Sequence, residues 1–250
     1  MDAYTDDFYR SCQGLSQQSA RAIVPIVLQF IQPQRVVDVG CGTGAWLSVF
    51  REHGIEDILG IDGDYVNREM LQIPAEKFMA FDLAQPLPSQ EPFDLVVSLE
   101  VAEHLPAESA ATFVASLTGL GSVVLFSAAI PYQGGVNHVN EQWPEYWADL
   151  FQARGYVPID CIRKQIWQNP TIDWWYIQNT LIFAQQNRLD QYPLLKQAFE
   201  SISAAPLAMV HPHAYLAQIY SFQKYLGEID QELSSVWLNE ELAAEEERTI

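Results

Sequence analysis

Val36-Val37-Asp38-Val39-Gly40-Cys41-Gly42-Thr43-Gly44 is the stretch on which the reading of this chain turns. The run Val36 to Val39 has the length and apolar character of a buried strand. Three glycines follow, each separated by one residue, and the helical pattern of Trp46 to Phe50 begins directly after them. A strand that enters a glycine turn and then a helix brings backbone close to a ligand. It also aims the free N–H groups of the helix start at that ligand. Asp38 is the discriminating residue. A fixed carboxylate just before the turn does little for a diphosphate but favours a ligand that carries a positive charge or an amine.

Two rival readings of the loop exist on the glycines alone. One is a tight turn without a ligand. The other is a dinucleotide-binding loop of a dehydrogenase, since Gly40, Gly42 and Ala45 satisfy G-x-G-x-x-G/A. The next strand, Asp57-Ile58-Leu59-Gly60-Ile61-Asp62, ends in a carboxylate eighteen positions after Gly44. Asp62, with Asp64 as the weaker candidate, can accept from both hydroxyls of a ribose. That points to a nucleoside ligand and is shared by both ligand-bound readings. A charged strand end facing water is the alternative.

Further strands follow at Lys77 to Leu83, Phe93 to Glu100 and Ser122 to Ala128, and two more at Val157 to Trp167 and Asn179 to Ala184. Helical spacing marks Gln17 to Ile31, stopped by Pro33, then Ser109 to Leu117 and Glu141 to Ala153, closed by Gly155. In open α/β sheets the ligand lies at the carboxyl ends of the strands, so Ser98, Leu99 and Glu100 should border it.

Asp38-Val39-Gly40-Cys41-Gly42-Thr43-Gly44 resembles motif I of the class I S-adenosylmethionine (SAM) dependent methyltransferases. The resemblance implies that Asp38, Gly40, Cys41, Gly42 and Gly44 hold the methionine part of SAM. Asp82-Leu83 resembles the adenine-side pair of that family, and Phe93-Asp94-Leu95-Val96 resembles its entry to strand four. Asp62, Leu99 and Glu100 complete the expected cofactor set. The implied fold is α/β, a doubly wound, seven-stranded Rossmann-like sheet whose last two strands pair antiparallel at the edge. An N-terminal helical cap (residues 1–34), a methyltransferase domain (35–185) and a C-terminal helical extension (186–250) are the expected parts.

The chain has 250 residues, 49% hydrophobic and 12% aromatic, enough for a full core. Net charge is −19, with only 13 Lys and Arg and no basic run, which disfavours nucleic acid as a partner. No run of eighteen apolar residues suggests a membrane span, and the acidic start Met1 to Asp7 lacks signal-peptide character. Cys12, Cys41 and Cys161 are too few and scattered for a disulfide framework. The expected compartment is the cytoplasm and the expected partner a small-molecule acceptor. The region after residue 186 could fold back on the domain or make a homodimer contact. The acidic run Glu240 to Glu247 reads as a solvated face.

Glu100-Val101-Ala102-Glu103-His104 is the second informative stretch. A helical turn there would let Glu100, Glu103 and His104 converge. Two carboxylates and an imidazole suit Mg²⁺, Mn²⁺ or Zn²⁺, and His138, in the loop after strand five, offers a fourth ligand. The pattern E-x-x-E-H with a later histidine resembles two branches of the family: ubiquinone-pathway O-methyltransferases and small-RNA 2′-O-methyltransferases. The acidic charge argues against the second. Without a metal, His138 is the candidate general base, with His104 and Glu103 beside it, or these residues merely bound the cofactor pocket and orient a loop. His53, His211 and His213 read as structural or exposed. Trp143 and Trp174-Trp175-Tyr176 are candidates for a sugar or aromatic platform, with ordinary core packing as the competing role. The resemblance implies methyl transfer from SAM to an oxygen of a small hydroxylated acceptor, a sugar or natural product. A non-catalytic SAM-binding regulatory module is the alternative.

Overall fold

The computed structural model describes residues 6–201 and 206–227 of the chain. It divides into two units, Met1–Met209 and Val210–Ile250. In chain order the first contains α1 (Asp6–Phe30), β1 (Arg35–Val39), α2 (Ala45–Glu52), β2 (Asp57–Asp62), β3 (Phe78–Ala80), β4 (Leu95–Leu99), α3 (Ala110–Leu120) and β5 (Val123–Ser127). It continues with α4 (Pro144–Gln152), β6 (Tyr156–Ile159), α5 (Arg163–Ile166), α6 (Trp174–Asn179), β7 (Leu181–Gln185) and α7 (Pro193–Ser201).

The seven strands form one sheet in the order β3-β2-β1-β4-β5-β7-β6. Neighbours pair in parallel except β7, which runs antiparallel to both β5 and β6. This is the doubly wound sheet of class I SAM-dependent methyltransferases that the sequence implied. The strands are apolar on both sides because both faces are covered. Val36 of β1, Leu95 and Val97 of β4, and Val123 and Leu125 of β5 enter one core cluster with Ile23, Val24 and Val27 of α1 and Leu47 and Phe50 of α2. Val37, Val96, Val124 and Phe126 enter the other, with Phe113 and Leu117 of α3 and Trp147 and Phe151 of α4. Each such side chain contributes about 1.5–3 kcal/mol on burial, so the alternation along each strand fixes which helix covers which face.

Two strand expectations change length. β3 is three residues rather than seven. Asp82 folds back to accept from the Ala84 N–H at 3.0 Å, and Pro86 and Pro88 then lack donors for a ladder. The segment from Val157 to Trp167 breaks after Ile159 into the short helix α5. Arg163 causes the break. Its side chain is fully buried, and its guanidinium donates to Asp160 at 2.8 and 3.0 Å and to the carbonyls of Gln178 and Leu207 at 3.1 and 2.8 Å. A buried guanidinium must fill its donors in this way, which an extended strand would not permit. α4 starts at Pro144, as suits proline at a first helical position, which leaves Glu141 in the preceding loop.

In the second unit residues 212–227 are helical. His211 is buried, its Nδ1 accepting from the His213 N–H at 3.2 Å, and His213 is exposed. The run Glu240 to Glu247 lies outside the described residues. Among the described residues, no helix is long and apolar enough to cross a membrane.

Candidate active site

A cavity of about 1070 Å³ opens at the carboxyl ends of β1, β2 and β4. β1 ends in the glycine turn. Gly40, Gly42 and Gly44 adopt φ of 87°, 52° and 85°, a left-handed backbone that glycine enters without penalty. Gly40 is also sterically confined, since a Cβ there would lie 2.3 Å from Val101 Cγ2. The turn is held by the Gly40 N–H donating to the Ile61 carbonyl at 2.7 Å and the Gly44 N–H to the Cys41 carbonyl at 2.8 Å. Gly44 precedes α2 without any side chain capping the helix start, so first-turn N–H groups remain available.

Of the ten residues expected around the cofactor, nine line this cavity: Asp38, Gly40, Cys41, Gly42, Asp62, Asp82, Leu83, Leu99 and Glu100. Gly44 does not, since it turns the chain into α2 and faces Ile73. Asp38 is 3% exposed, and its Oδ2 has no hydrogen-bond partner among the described residues. Burial, and then the neighbouring charge of Asp62, hold its pKa well above the usual carboxyl value. A cationic amine placed at Oδ2 would satisfy that oxygen and restore the charge. Asp62 is already engaged: Oδ2 accepts from the Gly42 N–H at 2.6 Å, and Oδ1 from the Gly63 N–H at 2.7 Å and the Tyr65 hydroxyl at 2.6 Å. It ties the glycine turn to the end of β2. Asp82 is exposed and Leu83 buried.

β4 leads into the second group. Glu100 has φ of 54°, unusual for a residue with a side chain. Its N–H donates to the Ser127 carbonyl and Oγ, both at 3.0 Å. Its carboxylate accepts from Asn179 Nδ2 at 3.1 and 3.3 Å and from Gln133 Nε2 at 2.8 Å. That bend turns the next residues back across the cavity. Glu103, His104 and His138 then present ligand atoms within 4.8 Å of one another, and Glu100 is not part of that group. Three of the four residues proposed as ligands are thus brought together, and the fourth is bound to Asn179 and Gln133.

Glu103 is fully buried, and neither carboxylate oxygen reaches full hydrogen-bond geometry with a partner among the described residues, although the backbone N–H groups of Glu103 and Ala129 lie close enough to hold its pKa down somewhat. Burial and the nearby Glu100 push its pKa well up. The ring of His104 meets that of His138 edge to face with centroids 4.8 Å apart. Burial, then the His138 charge, lowers the His104 pKa to about 4, so its ring is neutral near pH 7. A neutral imidazole is the form that binds metals. His138 Nδ1 lies 2.9 Å from Glu141 Oε1. The same Glu141 accepts from the Gly134 N–H at 2.8 Å and the Tyr132 N–H at 2.7 Å.

Sequence reasoning missed Glu141, Gln133 and Asn179. Only Glu141 left a signal, standing three residues after His138. Trp174, Trp175 and Tyr176 line the cavity from α6, whereas Trp143 is 43% exposed and does not. Leu15 and Ser16 of α1 line it too, and the Ser16 Oγ lies 3.3 Å from the Tyr176 hydroxyl. His53 is exposed at the end of α2.

A methyltransferase-domain family model matches residues 13–176 of the chain. No curated protein matches it. Among solved structures, a candidate O-methyltransferase from Nostoc punctiforme superposes with a TM-score of 0.52 at 14% identity, covering 71% of this chain and 58% of its own. Human N-acetylserotonin methyltransferase in complex with SAM does so with a TM-score of 0.50 at 15% identity, covering 71% of this chain and 55% of its own. The chain therefore spans just over half the length of either, and at such identity the likeness is one of fold. The family match is decisive: the chain belongs to the methyltransferase-domain family, and its fold is that of the class I SAM-dependent methyltransferases.

Proposed function

We propose that this methyltransferase-family enzyme methylates an oxygen of a small hydroxylated acceptor, a sugar or another secondary metabolite, with a divalent cation held by Glu103, His104 and His138. The observation that carries the reading is Glu103, a buried carboxylate whose two oxygens reach no partner in full hydrogen-bond geometry among the described residues, beside two imidazoles. Such a group costs several kcal/mol to bury unpaired, and a cation is the simplest compensation. Ligand atoms up to 4.8 Å apart must draw together to bind one ion, a movement within reach of side-chain rotation.

SAM supplies the methyl group as an electrophilic sulfonium, and Mg²⁺ or a similar ion would lower the pKa of an acceptor hydroxyl. The remaining work falls to the chain. We assign Asp38 to the amino group of SAM, the turn Gly40 to Gly42 and Cys41 to its methionine part, Asp62 to the ribose and Asp82 with Leu83 to the adenine side. Leu99 and Glu100 close the pocket towards the acceptor. Methyl transfer is an in-line displacement, so the residues chiefly hold the acceptor in position and take its proton.

The pair His138–Glu141 favours one further assignment. A carboxylate at Nδ1 orients the ring and leaves Nε2 as the basic nitrogen. His138 can therefore accept the acceptor proton if no metal is used. Chelation combined with His138→Ala separates the two. Release of S-adenosylhomocysteine from a panel of diols and sugars should stop on exhaustive EDTA treatment and return with Mg²⁺ or Mn²⁺. Activity indifferent to EDTA but lost in His138→Ala would leave the plain general base. No transfer to any hydroxyl acceptor, with SAM bound, would sink the O-methylation reading.

A further inference from the structure

We infer that the enzyme accepts only acceptors without an anionic group: a hydroxylated ring that is uncharged or amine-bearing, and not a phosphate or carboxylate. This deepens the proposed function and rests on it for the position of the acceptor. The cavity wall is acidic. Asp38, Asp62, Asp64, Asp82, Glu100 and Glu103 all line it, and among the described residues no Lys or Arg does.

An acidic wall alone would mean little, since carboxylates often bound a nucleoside pocket. Two further observations give it direction. Asp38 Oδ2 and both oxygens of Glu103 are buried in that wall without partners in full hydrogen-bond geometry among the described residues, so each is completed by a proton or a cation and gives an anion nothing to pair with. Among the described residues, the part of the wall around His104 and His138 also has no guanidinium or ammonium. Its polar groups there are Glu100, Glu103, the two imidazoles and Gln133, with Glu141 behind His138. Anionic groups are normally recognised by Arg or Lys or by exposed helix N-termini. A bound sulfonium and a divalent ion would add three positive charges, which the six carboxylates can match without help from the acceptor. A phosphate or carboxylate on the acceptor would then add unpaired negative charge to a partly desolvated site.

The apolar part of the wall fits the rest of the acceptor. Trp174 and Trp175, ring centroids 5.6 Å apart, and Tyr176 line the cavity from one helix, with Leu105 and Val136 also on its wall. Aromatic faces take sugar or aromatic rings and attract amines through the ring quadrupole. A sugar acceptor of this kind arrives free or on an uncharged scaffold, after the glycosyl transfer that removes a phosphate carrier.

The test uses the full chain loaded with S-adenosylhomocysteine and Mg²⁺. Two matched series serve as probes: glucose, glucosamine and glucuronate, and methylcatechol, dopamine and dihydroxybenzoate. Dissociation constants come from calorimetry or tryptophan quenching. The neutral and amine members of whichever series binds should bind at least about tenfold more tightly than the carboxylate. A carboxylate that binds equally or better overturns the inference, as does the absence of binding by all six. Val136→Lys, at a 45% exposed position on the wall, should raise carboxylate affinity and narrow the gap; an unchanged gap also overturns it. Turnover with SAM separates this from the reading beneath it. Charge-selective binding without transfer would defeat O-methylation of these acceptors and leave the selectivity standing. Transfer favouring the carboxylates would defeat the selectivity alone.

Discussion

Glu141 Oε1 lies 2.9 Å from Nδ1 of His138 and holds the imidazole from behind. A carboxylate accepts, so the tautomer that fits this contact carries its proton on Nδ1 and leaves Nε2 as the free ring nitrogen, and the same carboxylate pins the loop through Tyr132 and Gly134. Partners of this kind set the orientation and basicity of metal-binding histidines. Glu141→Ala should therefore weaken Mn²⁺ or Zn²⁺ binding by roughly 10- to 100-fold while SAM affinity changes little. Glu141→Gln, which keeps an acceptor, should recover part of the loss. Equal metal affinity in all three proteins would detach Glu141 from the site.

Asp38→Asn removes the charge but keeps the shape. The wild-type oxygen is buried without a partner among the described residues, so the apo protein should lose no stability. SAM should bind roughly 10- to 100-fold more weakly, the worth of a charge-assisted hydrogen bond of about 1.5–3 kcal/mol. Thermal melts with and without S-adenosylhomocysteine read both effects at once. A variant that melts lower yet binds SAM normally would make Asp38 a structural residue.

The pH dependence follows from the same carboxyl and its neighbour. Burial raises Asp38, with help from Asp62, and burial raises Asp62, above the ordinary value of 3.8. The folded state thus holds these protons more tightly than the unfolded chain. Their contribution to stability is full below about pH 4 and is lost as pH rises through the raised values. Loading with SAM should flatten that decline, because its amine takes the place of the proton, and binding should release protons in mildly acidic buffer. Calorimetry in buffers of different ionisation enthalpy measures the release. Asp38→Asn should abolish most of it, and proton release unchanged in that variant would assign it elsewhere.

Much of this could be read from the chain, for identifiable reasons. β2 runs from Asp57 to Asp62 as its apolar run indicated, because a strand covered on both faces leaves a continuous signal. The glycine turn was legible because only glycine enters the left-handed region freely three times in five residues. The meeting of His138 with Glu103 and His104 was proposed from the family pattern, but the path that brings it about was not legible, since it depends on a loop whose own hydrogen bonds run to Glu141 and to the Glu103 carbonyl. Glu100 failed to join them for a related reason. Its partners Gln133 and Asn179 come from 33 and 79 residues further along the chain, and no local spacing announces them. Arg163 shows the same limit, turning an expected strand into α5 through carbonyls at Gln178 and Leu207.

Gly40→Ala should reduce SAM binding by distorting the turn. A Cβ would meet Val101 Cγ2 at 2.3 Å, and φ of 87° would have to be held by a residue with a side chain. The backbone part alone costs about 1–2 kcal/mol. Adding Val101→Ala removes the two closest contacts but leaves the residue-101 Cβ 3.0 Å away and the backbone strain in place. The double variant should therefore recover only part of the stability and affinity, measured by melting and calorimetry. Full recovery would mean that packing alone requires glycine there.

Asn179→Leu tests the link between the cofactor side and the acceptor loop. Asn179 Nδ2 donates to both oxygens of Glu100 and, at 2.9 Å, to Gln133 Oε1, while Gln133 Nε2 donates to Glu100. The three side chains thus join the end of β4, the end of α6 and the start of the loop that carries His138. Leucine fills similar space without donors, so Glu100 keeps fewer partners for a carboxyl that burial already pushes upward. The loss of stability should be about 1–3 kcal/mol, the penalty for a buried polar group left unsatisfied. Because Asp38, Gly42 and Asp62 are untouched, SAM affinity should hold within a few fold. KM for the acceptor should rise, as Gln133 no longer anchors the loop. Asn179→Asp would bring a second carboxyl against Glu100 and should be worse on both counts. If SAM affinity collapses in Asn179→Leu while acceptor KM is unchanged, Glu100 belongs to the cofactor and the network does not position the acceptor loop.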